Sequence, residues 1–207
     1  MDSSQNYQIN KEVLSNADVT TLKQRLINVA LLAEKEGLCR HKSGNFSICV
    51  RDKKRILITP SGIDKALLKF DDIVVTDFDG NIIENINNNK ASIELAMHIA
   101  IYKERQDVNA VVHTHSTYAT AFAVKGIKIP PIVTEAIFYG EDVEVAEFAE
   151  SGSIQLAENI KEPIKKADVC LLKNHGVITV SDTIEDALLK AFYVEHVAKV
   201  DIISKLI

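Results

Sequence analysis

Apolar residues recur along the chain with two periods, and these periods predict its elements. Steps of three and four residues from Val19 onward predict an amphipathic helix that Asp18 begins and Gly37 ends. The same steps predict a short helix that ends at Phe70 and longer helices over residues 91–104, 116–124, 153–166 and 183–206. Runs of β-forming residues predict strands over 46–51, 55–59, 72–76, 81–84, 108–115, 143–149, 168–173 and 177–180.

The order of these elements predicts the architecture. Several neighbouring strands are joined by tight turns such as Asp79-Gly80, and strands do not alternate regularly with helices. This order favours one mixed, largely antiparallel sheet with helices on its faces over a doubly wound parallel sheet. Repeats and linkers are absent from the sequence, so residues 1–207 are expected to form a single domain. Residues 1–17 are polar and are expected to be loosely held.

Composition excludes several classes of function. Hydrophobic residues make up 46% of the chain, charged residues 26%, and the formal net charge is −5, as in ordinary globular proteins. Nucleic acid is not expected as a partner, because no Lys/Arg cluster is interleaved with aromatic residues. A membrane is not expected either, since no apolar run reaches the roughly 18 residues of a span. Three scattered cysteines predict free thiols in a reducing compartment. The polar N-terminus lacks the pattern of a signal peptide, so a cytoplasmic protein is expected.

Two histidines follow the apolar run Val108–Val112. Because successive side chains of a strand point to opposite faces, His113 and His115 are expected to point to the same side. His175 ends another apolar run at a turn. Three neutral imidazoles that leave a coordination position open are typical of a catalytic zinc site. The alternative is that these are structural and surface histidines with no shared ligand.

Other polar residues suggest proton transfer and phosphate binding. Glu94 lies near the start of a predicted helix, where a carboxylate can act as a general base or a metal ligand. The alternative is that Glu94 is a solvated residue on the helix surface. His98, four residues later, either hydrogen-bonds Glu94 or packs structurally. The loops 43–45, 60–62 and 90–92 carry small and hydroxyl residues that suit a phosphate, although ordinary turns have the same composition.

Five motifs occur in one order: Ser43-Gly44-Asn45-Phe46-Ser47, Leu57-Ile58-Thr59-Pro60-Ser61-Gly62, Ser92-x-Glu94, Val111-Val112-His113-x-His115 and Asn174-His175-Gly176. Together they resemble the motif set of the class II aldolase/adducin family, over about residues 20–205. The resemblance implies a three-layer α-β-α sandwich. It also implies one zinc ion per subunit, held by His113, His115 and His175, with Glu94 transferring protons. The implied phosphate site consists of Gly44, Asn45, Ser61, Gly62 and Ser92.

The function implied by the resemblance is reversible cleavage of a ketose 1-phosphate, such as L-fuculose 1-phosphate, to dihydroxyacetone phosphate and an aldehyde. Related members act as dehydratases of methylthioribulose 1-phosphate or as other sugar-phosphate lyases, and this alternative stays open. An adducin-like assembly module is a further alternative, although such members lack the metal histidines that this chain keeps. The implied assembly is a homotetramer with fourfold symmetry.

The chain departs from the aldolases of the family at two positions. Ile93 replaces the second serine before the glutamate, and Thr134 replaces a catalytic tyrosine after the Ile-Pro turn. Tyr139, five residues further on, is the candidate to replace that tyrosine as a catalytic residue. The side of the pocket that takes the second substrate is therefore expected to differ.

Overall fold

A single eight-stranded sheet organises the protein in a computed structural model that describes residues 18–140 and 142–207. The strands lie in the order β4-β3-β2-β1-β5-β8-β7-β6. Their bounds are β1 Asn45–Val50, β2 Arg55–Ile58, β3 Val74–Thr76, β4 Ile82–Glu84, β5 Ala110–Thr114, β6 Val145–Ala146, β7 Val169–Leu172 and β8 Gly176–Ser181. All neighbouring pairs are antiparallel except β6 and β7, which confirms the predicted mixed, largely antiparallel sheet.

Helices cover both faces of the sheet. The α-helices of the described residues are α1 Val19–Lys35, α2 Leu95–Glu104, α3 Thr117–Lys125, α4 Ile154–Asn159, α5 Lys161–Lys166 and α6 Ile184–Ser204. Three short 3₁₀ turns complete them, at Lys65–Leu67, Phe70–Asp72 and Thr134–Phe138. None of the helices in the described part of the chain combines the length and apolar character needed to cross a membrane.

The core has two layers because alternate strand residues face opposite helices. Phe46 and Ile48 of β1 belong to the buried cluster that includes α1 and the first half of α6. Cys49, next to them, belongs to the cluster formed with α2, α4 and α5. A third cluster lies between α3 and the second half of α6. The three-layer α-β-α sandwich implied by the resemblance is thus confirmed.

Four predicted elements differ from the structure. The helix predicted from residue 91 begins only at Leu95, because the segment before it pairs with the end of β2: Pro60 bridges Ala91, and the Ser92 amide donates to the Thr59 carbonyl at 3.3 Å. The strand predicted over 143–149 is reduced to Val145–Ala146 at the sheet edge. The short helix predicted to end at Phe70 is replaced by 3₁₀ turns.

The helix predicted over 153–166 is divided in two. Pro163 explains the division, because it has no amide hydrogen and its ring excludes the carbonyl four residues earlier, that of Asn159, where α4 ends. The prediction for residues 1–17 lies outside the described residues.

Candidate metal centre and cleft

Three histidines meet at one end of the sheet, where β5 ends and β8 begins. His113 lies in β5, His115 follows two residues later, and His175 directly precedes β8. Since β5 and β8 are antiparallel neighbours, with His113 opposite Ile178, the end of one lies beside the start of the other. The ring centres are 4.7–5.0 Å apart, and each ring has a nitrogen within 4.8 Å of a nitrogen of the other two. The structure therefore brings the three predicted ligands together.

The turn before β8 explains how His175 reaches this point. Asn174 has a φ of +58°, a left-handed conformation that asparagine tolerates better than most residues. The His175 amide then donates to the Leu172 carbonyl at 2.9 Å. Gly176 is required by space, because a Cβ there would lie 2.3 Å from the Thr114 carbonyl oxygen. The sequence Asn174-His175-Gly176 thus turns the chain tightly against the end of β5.

Glu94 lies among the histidines and is almost completely buried, with 2% of its surface exposed. Its two oxygens are 3.2 Å from His113 Nε2 and 3.3 Å from His175 Nε2. Asn45 Nδ2 donates to one oxygen at 2.7 Å, and Ser151 Oγ donates to the other at 2.6 Å. Burial acts to raise the pKa of Glu94, but the nearby His113 ring and these two hydrogen bonds outweigh it and lower the pKa from 4.5 to about 2. The side chain is therefore a carboxylate near pH 7.

The donor set fits a divalent cation. His113 Nδ1 lies 3.0 Å from the Val177 carbonyl, which can only accept, so Nδ1 carries a hydrogen and Nε2 is the ring nitrogen that faces the Glu94 carboxylate. This contact is attractive when a positive charge, either a proton or a metal ion, lies between Nε2 and the carboxylate. Burial lowers the pKa of His115 to about 3 and that of His175 to about 4, so both rings are neutral ligands near pH 7. Three imidazoles and a carboxylate suit zinc well.

A cleft opens beside these groups, and the three loops predicted to bind phosphate line it. Gly44, Asn45, Ser61, Gly62 and Ser92 all contribute to its wall, together with His115, His175 and Glu94. Gly44 has a φ of +74°, and a Cβ there would lie 2.8 Å from the His113 carbonyl oxygen. Only glycine therefore lets this loop lie directly against the histidine strand.

Hydrogen bonds already made within the loops limit which groups are free for a ligand. The Ser61 amide donates to the Lys90 carbonyl at 2.8 Å, and the Ser92 hydroxyl accepts from the Glu94 amide at 3.3 Å. These two bonds leave the hydroxyl hydrogens of Ser61 and Ser92 able to donate to a ligand. Lys42 is the one positively charged side chain among the described residues that line the cleft.

Tyr139 does not join this arrangement. It is buried with Ala119, Phe122 and Val143 in the cluster beneath α3, and it is not among the residues that line the cleft. Burial raises the pKa of its hydroxyl to about 12. Its predicted catalytic role stays a prediction, and the geometry does not support it. Ile93, by contrast, lines the cleft at the position of the missing serine and is 61% exposed.

Comparison with known proteins agrees with this arrangement. Residues 24–202 match the family model of the class II aldolase and adducin N-terminal domain. The chain belongs to this family. This chain is 39% identical to L-fuculose phosphate aldolase of Methanococcus maripaludis over 160 residues, which cover 77% of this chain and 84% of that one. It is 36% identical to 5-deoxy-D-ribulose 1-phosphate aldolase of Bacillus thuringiensis serovar kurstaki, with 79% and 76% of the two chains covered.

A solved structure of an L-fuculose 1-phosphate aldolase has the same fold. It superposes on this chain with a TM-score of 0.87 at 34% sequence identity, and the match covers 91% of this chain and 88% of the aldolase chain. The resemblance seen in the five motifs is thus confirmed, and the similarity to named aldolases supports an aldolase enzyme.

Three residues of the site were not assigned by the sequence. Ser151 reaches Glu94 from a loop 57 residues away, and no periodic pattern marks it. Lys42 lines the cleft but precedes its motif by one residue. His98, for which a hydrogen bond to Glu94 was one alternative, bonds instead to Asn45, which in turn bonds to Glu94. The spacing of four residues on α2 was the available signal for His98, although it indicated the wrong partner.

Proposed function

We propose that this family member is a zinc-dependent aldolase that cleaves a ketose 1-phosphate reversibly to dihydroxyacetone phosphate and an aldehyde. The observation that carries the proposal is the convergence of three imidazoles and a buried carboxylate at the base of a cleft lined by glycine and hydroxyl loops. The named relatives act on L-fuculose phosphate and 5-deoxy-D-ribulose 1-phosphate, which supports a ketose 1-phosphate as the substrate.

In this proposal His113, His115 and His175 hold the zinc ion. When bound, the ion supplies a Lewis acid that draws charge from the carbonyl and hydroxyl oxygens of the substrate. Glu94 moves the proton to or from the reacting carbon, because it is the carboxylate that reaches this point and it is ionised near pH 7. Asn45 and Ser151 each hold one of its oxygens, so the carboxylate plane is fixed before the substrate arrives.

The phosphate of the substrate binds at the other end of the cleft in this proposal. Gly44, Gly62 and the Ser61 hydroxyl face the cleft together, and Lys42 supplies a positive charge there. Ile93 supplies no hydrogen bond, so the loss of the family's second serine is offset by Lys42.

The test is a coupled assay of the zinc-loaded protein with a panel of ketose 1-phosphates. Formation of dihydroxyacetone phosphate, detected by its enzymatic reduction, is the expected result, with the unphosphorylated ketoses as controls. Measuring the aldehyde separately from loss of water distinguishes the aldolase from a methylthioribulose-1-phosphate dehydratase. If no member of the panel yields dihydroxyacetone phosphate while one of them loses water, the dehydratase replaces the aldolase.

We also propose that the protein is a homotetramer, as the family resemblance implies. Several large apolar side chains are exposed on the single chain, among them Ile137 and Ile154 at 79% and 78% and Phe138 at 53%. Burial of such side chains between subunits is favourable. Light scattering during size-exclusion chromatography should give about four chains per particle, and a monomer at micromolar concentration contradicts the proposal.

A further inference from the structure

A chain of buried polar side chains runs behind Glu94, between β1 and α2. Tyr102, His98 and Ser47 are fully buried, and Asn45 is 8% exposed. Ser47 Oγ lies 2.7 Å from Tyr102 Oη and 2.6 Å from His98 Nδ1. His98 Nε2 lies 2.5 Å from Asn45 Oδ1, and Asn45 Nδ2 lies 2.7 Å from Glu94. Every link in the chain is therefore at hydrogen-bond distance.

The direction of each hydrogen bond follows from the carboxylate. A carboxylate only accepts, so the Asn45 amide nitrogen must face Glu94 and the amide oxygen must face His98. The His98 Nε2 must then carry a hydrogen, which leaves Nδ1 of the neutral ring as an acceptor for the Ser47 hydroxyl. Ser47 in turn accepts from Tyr102. One tautomer of His98 thus satisfies the whole chain.

The geometry of the two elements aligns these groups. Glu94, His98 and Tyr102 are spaced by four residues and lie on one face of α2 and its start. Asn45 and Ser47 are spaced by two residues and point to the same face of β1. Burying so many polar groups in an apolar layer is costly unless each finds a partner. A purely structural core at this position would use apolar side chains, as the neighbouring Cys49, Met97 and Ile101 do.

The hydrogen-bond chain ends at Tyr102. Because Tyr102 is completely buried, this chain cannot pass a proton to solvent. Proton delivery to Glu94 is therefore excluded as its task, and orientation remains. We propose that His98 is a positioning residue for the reaction: its Nε2–H tautomer, held by Ser47 and Tyr102, fixes the Asn45 amide so that its NH₂ group faces Glu94. The proposal rests on the proposed function, in which Glu94 carries the proton.

The protonation state of His98 agrees with this role. Burial lowers the pKa of the ring to about 3, so the ring is neutral near pH 7. Without the Nε2–H donor the Asn45 amide is held by Glu94 alone. The amide oxygen then has no partner in an apolar layer, so the amide loses one of its two anchors and holds Glu94 less firmly beside His113.

The experiment compares three variants of the zinc-loaded protein. His98→Leu keeps the volume but removes the donor, and kcat should fall about 10- to 100-fold with KM within about twofold, since groups behind a metal site typically matter by that factor. His98→Gln places an amide NH₂ near the position of Nε2 and should restore most of kcat. Ile101→Val is the packing control and should keep kcat, because Ile101 is on the same helix and equally buried but takes no part in the hydrogen-bond chain.

Several results overturn the proposal. They are normal kcat in His98→Leu, failure of His98→Gln to exceed His98→Leu, or a loss in Ile101→Val as large as that in His98→Leu. If His98→Leu does not fold, Ser47→Ala replaces it. That variant removes the hydroxyl that donates to His98 Nδ1, so kcat should fall as in His98→Leu. A normal kcat in Ser47→Ala also overturns the proposal.

A measurement without substrate separates this proposal from the proposed function. In the metal-free protein, two-dimensional ¹H–¹⁵N spectra of the His98 ring should show hydrogen on Nε2 and none on Nδ1, and the Asn45 side-chain NH₂ should exchange slowly. In His98→Gln the slow exchange should persist, whereas it should be lost in His98→Leu or Ser47→Ala. A wild type that cleaves no ketose 1-phosphate refutes the proposed function alone. Hydrogen on Nδ1, or an Asn45 amide that stays protected in all variants, refutes the positioning role.

Discussion

Replacing Glu94 by glutamine tests the site most directly, because the change removes a charge and keeps the shape of the side chain. Asn45 and Ser151 each donate to one carboxylate oxygen. A glutamine amide satisfies both when its oxygen faces Asn45 and its NH₂ faces Ser151, since a hydroxyl can turn to accept. We therefore expect the Glu94→Gln variant to fold with the same side-chain position and with one hydrogen bond reversed.

The stability of the metal-free variant can be estimated from the pKa of Glu94. A lowering from 4.5 to about 2 corresponds to about 3–4 kcal/mol of stabilisation of the folded state by the ionised carboxylate, at roughly 1.4 kcal/mol per pKa unit. Glutamine lacks this charge, so Glu94→Gln should lower the free energy of unfolding by about that amount at pH 7. Because the folded pKa lies below the ordinary value, the stabilisation is present above about pH 4.5 and is lost as the pH falls through about 2.

The assay is urea unfolding of wild type and Glu94→Gln in the presence of a chelator, at pH 7 and pH 3. The difference in the free energy of unfolding should shrink to about half at pH 3, since the carboxylate is then protonated in the unfolded chain but still largely ionised in the folded one. Ile93→Ala at the neighbouring exposed position is the control, because it removes no charge and its effect should not change with pH. A difference that stays constant or grows toward acid pH refutes the electrostatic argument.

The same variant tests the mechanism when it is loaded with zinc. Three histidines remain to hold the metal, so occupancy should survive, whereas loss of a general base typically lowers the rate by ~10²–10⁴-fold. Bond cleavage and exchange of the C3 proton of dihydroxyacetone phosphate with solvent should fall together, since one group serves both steps. Normal proton exchange in Glu94→Gln would show that another residue carries the proton.

Three further changes probe the rest of the site. His175→Ala should abolish binding of about one divalent ion per chain, as measured by mass spectrometry, while the far-ultraviolet spectrum stays native; full occupancy would disprove the triad. Ser61→Ala should raise KM for the phosphorylated ketose with little change in kcat, and equal turnover of the unphosphorylated sugar by wild type would contradict the phosphate site. Gly44→Ala should destabilise the fold by more than Gly62→Ala, because both have a positive φ near 75° but only Gly44 faces a backbone oxygen at 2.8 Å; equal losses in thermal unfolding would refute the steric argument.

The histidine arrangement could be predicted because it depends on local rules. A period of two places His113 and His115 on one side of a strand, and a turn sequence marks His175. What the sequence alone does not give is that β8 pairs with β5, which brings His175 to the other two. The family resemblance supplied that step, since the order of motifs implies a known sheet.

The residues that were missed depend on contacts between distant segments. Ser151 reaches Glu94 from the loop before α4, where Gly152 approaches so closely that a Cβ would lie 2.9 Å from the Ile93 carbonyl oxygen. The late start of α2 has a similar cause, because pairing of residues 91–92 with the end of β2 competes with the first turn of the helix. Tertiary hydrogen bonds outweigh local helix propensity there.

The two sides of the site are therefore constrained in different ways. The metal side is held by the sheet register and by a buried hydrogen-bond chain, so a change at any of its positions leaves a polar group without its partner. The substrate side is formed by loops, and Ile93, which departs from the family pattern, lies there, whereas Tyr139 is buried in the core away from the cleft. Loop positions can change without disturbing the sheet. The reaction type is accordingly expected to follow the family, whereas the choice of sugar phosphate is set by the loop residues of this chain.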